Sequence, residues 1–194
     1  MLIFILSQAT KKNMNDNLKN ESVELRALKL SDAEFIAKNA KDKDIAKYTF
    51  VIAPPFGLET AKKFIRKANK EIKDKTAYEF GIGLDGGKEL VGTINLFNMS
   101  RKNKNAEIGF WLAKEYWNKG LSDQALKLML NFGFNKLKLE RIQWRVLDKN
   151  IPAQKLLERT GFKLEGKLRQ KTFLNNQWFD DFIYGLLASE HIIK

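Results

Sequence analysis

Apolar residues along the chain switch between two spacings, and the switches divide it into elements. Alternation over Val23–Leu28 (VELRAL) predicts a first strand. Ala33, Ile36, Ala37 and Ala40 then share one helical stripe, so 32–47 reads as helix, with Ser31 and Glu34 at the spacing of a capping box. Pro54-Pro55 interrupts the chain, and a second helix over about 59–75 turns Ala61, Phe64, Ile65, Ala68 and Ile72 inward. Ala77–Leu84 and Leu90–Phe97 read as strands joined by Asp85-Gly86-Gly87-Lys88, a hairpin turn because glycine tolerates positive φ. A third strand follows at 106–113, beyond the polar turn Arg101–Asn105. Next come a helix over 120–136, a strand over Arg141–Val146, and a helix entered through Pro152 and ended at Gly161. Phe162–Arg169 and Trp178–Leu187 close the pattern as a strand pair around Asn175-Asn176. The order β-α-α-β-β-β-α-β-α-β-β predicts a single α/β (α+β) domain over 21–194. Its central sheet of about seven strands is mixed, mostly antiparallel, and covered by helices on both faces.

Residues 1–20 stand apart from this pattern. MLIFIL is too short to span a bilayer and precedes Lys11 and Lys12, the reverse of a signal peptide. KKNMNDNLKN carries no period, so 1–20 is expected to be a disordered extension, with Met14 an alternative start and the protein cytoplasmic and off the membrane. With 194 residues, 44% of them hydrophobic, the remainder can bury a sizeable core. There is no cysteine and one histidine, His191, which excludes thiolate metal sites and argues against a histidine triad or zinc centre; no metal is expected. The net charge of +12 suits anionic partners, yet lysine (28) far outnumbers arginine (7), the usual bidentate reader of phosphates and bases. The basic residues of the second helix, from Lys62 to Lys75, are interrupted by Glu59 and Glu71 and lack an aromatic stacking platform. They read as a solvated face, with no specific nucleic-acid partner.

The chemistry gathers at Glu107–Leu130. Ile108, Phe110 and Leu112 alternate as a strand, and Leu121, Ala125, Leu128 and Met129 recur as a helix, with Asn118-Lys119-Gly120 between them. A strand that turns through glycine into a helix presents free backbone N–H groups and a helix dipole, a cradle for phosphate. Neither the full Walker pattern nor the three-glycine dinucleotide fingerprint is present, so by itself the signal is weak.

WNKGLSDQAL, then about twenty residues to the next strand, then NIPAQKLLERTGF, resembles the acetyl-CoA-binding core of the GNAT N-acetyltransferases. More narrowly, AEIGFWLAKEYWNKGLSDQAL, DKNIPAQKLLERTGFKLEGKLR and NNQWFDDFIYGLL are similar to the ribosomal-protein N-terminal (serine/alanine) acetyltransferase group, from about Glu21 to Leu187. The resemblance implies a GNAT-like fold and acetyl-CoA as co-substrate. Its diphosphate would rest on the turn Trp117, Asn118, Lys119, Gly120, Leu121 and Ser122, with Asn150 and Lys155 at positions that contact coenzyme A. Its pantetheine arm would pair along Phe110, Trp111 and Leu112, where 107–113 splays from its parallel neighbour 141–146, and an N–H near Leu112 would polarise the acetyl carbonyl. Direct attack by an amine is implied, with Glu107 as base and Asp180 and Asp181 as weaker candidates for holding a cationic acceptor.

Departures from the pattern bear on catalysis more than on the coenzyme. Ser122 closes the loop where the family has glycine or alanine, and Ala153 stands where the narrower group has serine. Leu157 replaces the general-acid tyrosine of many relatives, leaving thiolate protonation to water or to another group such as Tyr184. The acceptor expected is a protein N-terminal amine, in a ribosomal protein, with ribosome association. A small-molecule amine (a polyamine or an amine antibiotic) and a non-catalytic acyl-CoA-binding or ribosome-associated protein are the alternatives. Monomer and homodimer both remain open.

Overall fold

The computed structural model describes residues 18–48, 56–174 and 176–191. Its strands are β1 (Glu24–Arg26), β2 (Tyr78–Leu84), β3 (Glu89–Ser100), β4 (Asn105–Leu112), β5 (Arg141–Leu147), β6 (Lys163–Leu174) and β7 (Gln177–Leu187). They form a seven-stranded sheet in the order β1-β2-β3-β4-β5-β7-β6. Every neighbouring pair is antiparallel except β4 with β5. The mixed, mostly antiparallel sheet read from the sequence is therefore the sheet observed. Pro54-Pro55 and Asn175 lie outside the described residues, as does most of the 1–20 extension. Leu18, by contrast, is buried against Val23 and Leu25 in the core. Among the described residues no helix is long and apolar enough to cross a membrane.

The helices are α1 (Ala33–Asn39), α2 (Lys43–Ala46), α3 (Leu58–Asp74), α4 (Leu121–Asn131) and α5 (Ile151–Arg159). The single helix expected over 32–47 is two. Asp42 takes an extended conformation and its side chain accepts the Asp44 N–H at 2.8 Å, which ends one helix and caps the next. The capping box expected of Ser31 and Glu34 is also absent. Asp32 sits at the helix start instead, its carboxylate accepting the Lys29 N–H at 2.7 Å and pairing with Arg26 at 2.8 Å. The C-terminal part of the helix expected over 120–136 widens into a π turn at Phe132–Lys136.

Each face of the sheet buries its own core. Ala125, Leu126, Met129 and Phe132 of the central helix region pack on Tyr78, Phe80, Ile94 and Ile108. On the opposite face Ile36 and Ala37 of α1 meet Ala61, Ile65 and Ala68 of α3 over Leu28 and Leu90, with Trp111 at the edge. The outward lysines of α3 are partly paired within the helix, Lys62 with Glu59, Lys67 with Glu71 and Lys70 with Asp74. β2 is buried on both faces over most of its length, which takes the one acid in its run, Glu79, inside with its neighbours.

Candidate active site

β4 and β5 share register only at Asn105 with Arg141, Ala106 with Ile142 and Glu107 with Gln143. Beyond Glu107 the strands part: β4 stays on β3 as far as Leu112, and β5 stays on β7 as far as Leu147. Each strand keeps one neighbour, so each turns an unpaired edge toward the gap. A cavity of about 730 Å³ occupies it and reaches both faces of the sheet. Phe110 and Trp144 meet across the split in a T-shaped contact, ring centroids 5.0 Å apart at 73°. An extended arm entering here would meet strand edge on both sides, the condition for β-augmentation.

On the α4 side the cavity ends at the loop after β4. The Trp117 indole N–H donates to the Leu112 carbonyl at 2.9 Å and folds the loop back onto the strand. Asn118 (φ 60°) and Gly120 (φ 74°) are both left-handed, which gathers successive amides at the start of α4. Among the described residues no acceptor serves the N–H groups of Asn118 through Ser122. A Cβ at Gly120 would meet nothing within 4 Å. The corner is bare amide at a helix N-terminus and fits a diphosphate. Asp123 in the first turn would repel such an anion, but Arg159 grips both its oxygens at 2.6 and 2.7 Å and holds its carboxyl below the usual range. Asn150 Oδ1 accepts the Ala153 N–H at 3.3 Å and caps α5, and Lys155 follows one turn on, both lining the cavity.

Of the coenzyme residues expected from sequence, Phe110, Trp111, Leu112, Trp117, Asn118, Gly120, Ser122, Asn150 and Lys155 line the same cavity. Lys119 and Leu121 do not. The Lys119 ammonium lies over the Tyr116 ring at 5.3 Å, and Leu121 packs against the core, so each offers the site only its backbone.

The other lobe lies under α1 and α3. Glu79, Thr93, Asn95, Glu107, Gly109 and Trp111 face it from the sheet, and Ile36, Ile45, Tyr48, Phe56 and Phe64 complete its walls. Glu107, half-buried, accepts from the Asn98 amide at 3.0 Å. Glu79 is 6% exposed. Its carboxylate accepts from Asn95 Nδ2 at 2.7 Å and from the Thr93 hydroxyl, while burial pushes its pKa up to about 7. Asn95 Oδ1 is buried without a partner. Sequence reasoning missed Glu79, Asn95 and Trp144; an acid inside the apolar run AYEFGIGL is the one signal that could have flagged the first.

Asp180, Asp181 and Tyr184 lie outside the cavity lining. Asp180 pairs with Lys167 at 2.7 Å, and Asp181 meets Arg145 at 3.5 Å and the Thr172 hydroxyl at 3.0 Å. The Tyr184 hydroxyl donates to Glu158 at 3.1 Å.

Residues 22–163 match the acetyltransferase (GNAT) domain. The N-acetyltransferase p20 of Bacillus licheniformis is 30% identical, over 91% of this chain and 98% of its own. YdaF of Bacillus subtilis (strain 168), provisionally named a ribosomal N-acetyltransferase, is 31% identical over 88% of this chain and 94% of its own. The crystal structure of spermidine N-acetyltransferase from Vibrio cholerae, in complex with CoA and spermine, superposes with a TM-score of 0.78 at 26% identity, covering 88% of this chain and 98% of that one. Strands parted beside an uncapped helix start, in a chain aligned with these proteins over most of its length, place it in the GNAT family as an acetyl-CoA-dependent N-acetyltransferase.

Proposed function

We propose that the acceptor is the N-terminal amine of a protein, in the ribosomal setting that YdaF's name suggests. The observation that carries this reading is the make-up of the acceptor lobe. Aromatic and aliphatic side chains form most of its wall, with Phe35 stacked on Trp111 at 6.3 Å behind it. Four carboxylates reach the cavity as a whole, but Asp44 is paired with Lys114 and Asp123 with Arg159. Glu79 and Glu107 have no ion-pair partner among the described residues. One cationic nitrogen on an apolar body suits such a pocket, as a peptide N-terminus with an uncharged first side chain provides. A linear polyamine carries several separated charges and asks for a carboxylate at each, and the net charge of +12 opposes its approach.

Acetyl-CoA supplies the activated acetyl thioester. The amides of 118–122 and Lys155 hold its phosphates, the β4 edge at Phe110–Leu112 orients its arm, and an N–H near Leu112 faces the carbonyl oxygen. Asp123, neutralised by Arg159, leaves the phosphate corner free of net negative charge.

The second reading, a polyamine acceptor, is favoured by the similarity to the spermidine enzyme. The two separate in one assay. The protein is incubated with acetyl-CoA and either peptides ending in free α-amines or spermidine and spermine, with released thiol and product mass followed. Peptide α-amines are expected to give the higher kcat/KM, with aromatic or aliphatic first residues preferred. Preferential acetylation of the polyamines would reject the N-terminal reading.

A further inference from the structure

Glu79 on β2 stands opposite Asn95 on β3, which stands opposite Gly109 on β4. The three form one row across the sheet, ending at the strand that borders the split. The bonds from Asn95 Nδ2 and Thr93 draw the Glu79 carboxylate toward β3. That leaves it about 5 Å, one strand spacing, from β4. At β4 the row ends in a residue with no side chain. A Cβ at Gly109 would meet Asn95 Oδ1 at 3.2 Å and the Phe97 ring at 3.6 Å; hydrogen keeps that strip open. The strip therefore presents a carboxylate without an ion-pair partner and a buried amide oxygen that no donor reaches. A primary ammonium, with three N–H donors, is the group that satisfies both.

We propose that Glu79 accepts the proton of the acceptor ammonium, while Asn95 Oδ1 holds the same nitrogen over Gly109 beside the β4 edge. This rests on the amine-acceptor reading above and gives that amine its binding point. The proton passes from nitrogen to a Glu79 oxygen, and the freed lone pair forms the N–C bond to the acetyl carbon. The C–S bond breaks with its electron pair on sulfur; the second N–H proton ends on sulfur, and Glu79 returns its own to water. Other charged groups bear on Glu79 from the surrounding elements. Glu71 and Lys67 of α3, themselves paired at 3.6 Å, act in opposite directions on it. Glu107 and the Lys114-paired Asp44 share its cavity. Burial outweighs the stabilising bonds, so the carboxyl titrates near neutrality, where a base is both partly ionised and able to take a proton. Glu107, half-buried and bonded to Asn98, draws the cation toward the split without being its proton acceptor.

The test compares wild type, Glu79→Gln, Glu79→Asp and Glu107→Gln. For wild type, kcat/KM for the peptide is expected to fall on the acid side of a limb near pH 7. Glu79→Gln should abolish that limb and lower kcat by about a hundredfold or more, with acetyl-CoA affinity unchanged, and Glu79→Asp should restore part of the rate. Glu107→Gln should raise KM and keep the limb. A second readout needs no turnover: infrared titration of the protein without coenzyme should show a protonated carboxyl band that disappears near pH 7 and is missing in Glu79→Gln. Retention of the limb in Glu79→Gln, its loss in Glu107→Gln, or no such band in wild type would overturn the assignment. Failure of wild type to acetylate any peptide amine would instead refute the acceptor reading, and needs no variant to see.

Discussion

A carboxyl whose pKa is raised by folding binds its proton more tightly in the native state than in the unfolded chain. Stability then falls as pH rises from the unfolded value through the folded one, and the loss is complete above the latter. For Glu79 the window runs from 4.5 to about 7. The whole rise corresponds to roughly 3 kcal/mol of folding free energy at its limit. Glu79→Gln removes the titration while keeping an acceptor for Asn95 and Thr93. Urea unfolding at pH 5 and at pH 8 is therefore expected to show the variant gaining on wild type by a few kcal/mol between the two; equal differences at both pH values would show that the native carboxyl is not perturbed. A charge that the fold would be more stable without suggests selection for something other than stability. In the sequence this residue is one acid inside an apolar run. What distinguishes it is burial of β2 on both faces, one under α3 just before it and the other under α4, which follows only after two more strands.

Elements were more legible than the residues they bring together. The periods placed α3, the β2–β3 hairpin and the strand-to-helix passage at Gly120, because each is set by local spacing and turn chemistry. The break between α1 and α2 was hidden, since an apolar stripe does not reveal that Asp42 will take the Asp44 amide for itself. The loop at 117–122 shows both sides of this. Its glycine announced the turn, and its left-handed φ of 74° is what the turn requires. Its emptiness, with no atom within 4 Å of a Cβ at Gly120, had to be seen. Gly120→Val is thus expected to act first through backbone strain, about 1–2 kcal/mol for a left-handed residue with a side chain. It should weaken acetyl-CoA binding by tilting the amides of Gly120 and Leu121 and by placing side-chain atoms in the phosphate corner. Calorimetric titration showing unaltered affinity would contradict the cradle. Arg159→Ala tests its electrostatics: the pair is largely exposed and worth under about 1 kcal/mol to the fold, yet its loss leaves Asp123 facing the diphosphate. Affinity should drop several-fold, more at low salt, with little change in melting temperature.

At the scale of the molecule the sheet is two blocks, β1–β4 and β5–β7–β6, joined by three residue pairs between β4 and β5. The antiparallel runs β2–β3–β4 and β6–β7 could be read from short connections, whereas the pairings of β1 with β2 and of β5 with β7 join strands distant in sequence. The split could not, because it exists only where two strands distant in sequence stop pairing while each keeps its other neighbour. The same arrangement leaves the join paired over only three residues, as few as the β1–β2 edge, and α4 and α5 start on either side of it. An extended ligand that pairs with the β4 edge and reaches the amides of 118–122 and the start of α5 ties the two blocks together. It should stabilise the molecule as a whole: at one hundred times its dissociation constant, coenzyme A is worth about 2.7 kcal/mol, which for a chain of this size raises the melting temperature by roughly 5–10 °C. The local signature is sharper than the global one. Amides of Ile108–Leu112 that point into the split, and those of Asn118–Ser122, should exchange hydrogen quickly in the free protein and slow on adding coenzyme A, while those in the middle of β2 and β3, bonded on both sides, should change only by the global amount. Protection spread evenly over the sheet, with none concentrated along the split, would mean that the coenzyme binds elsewhere.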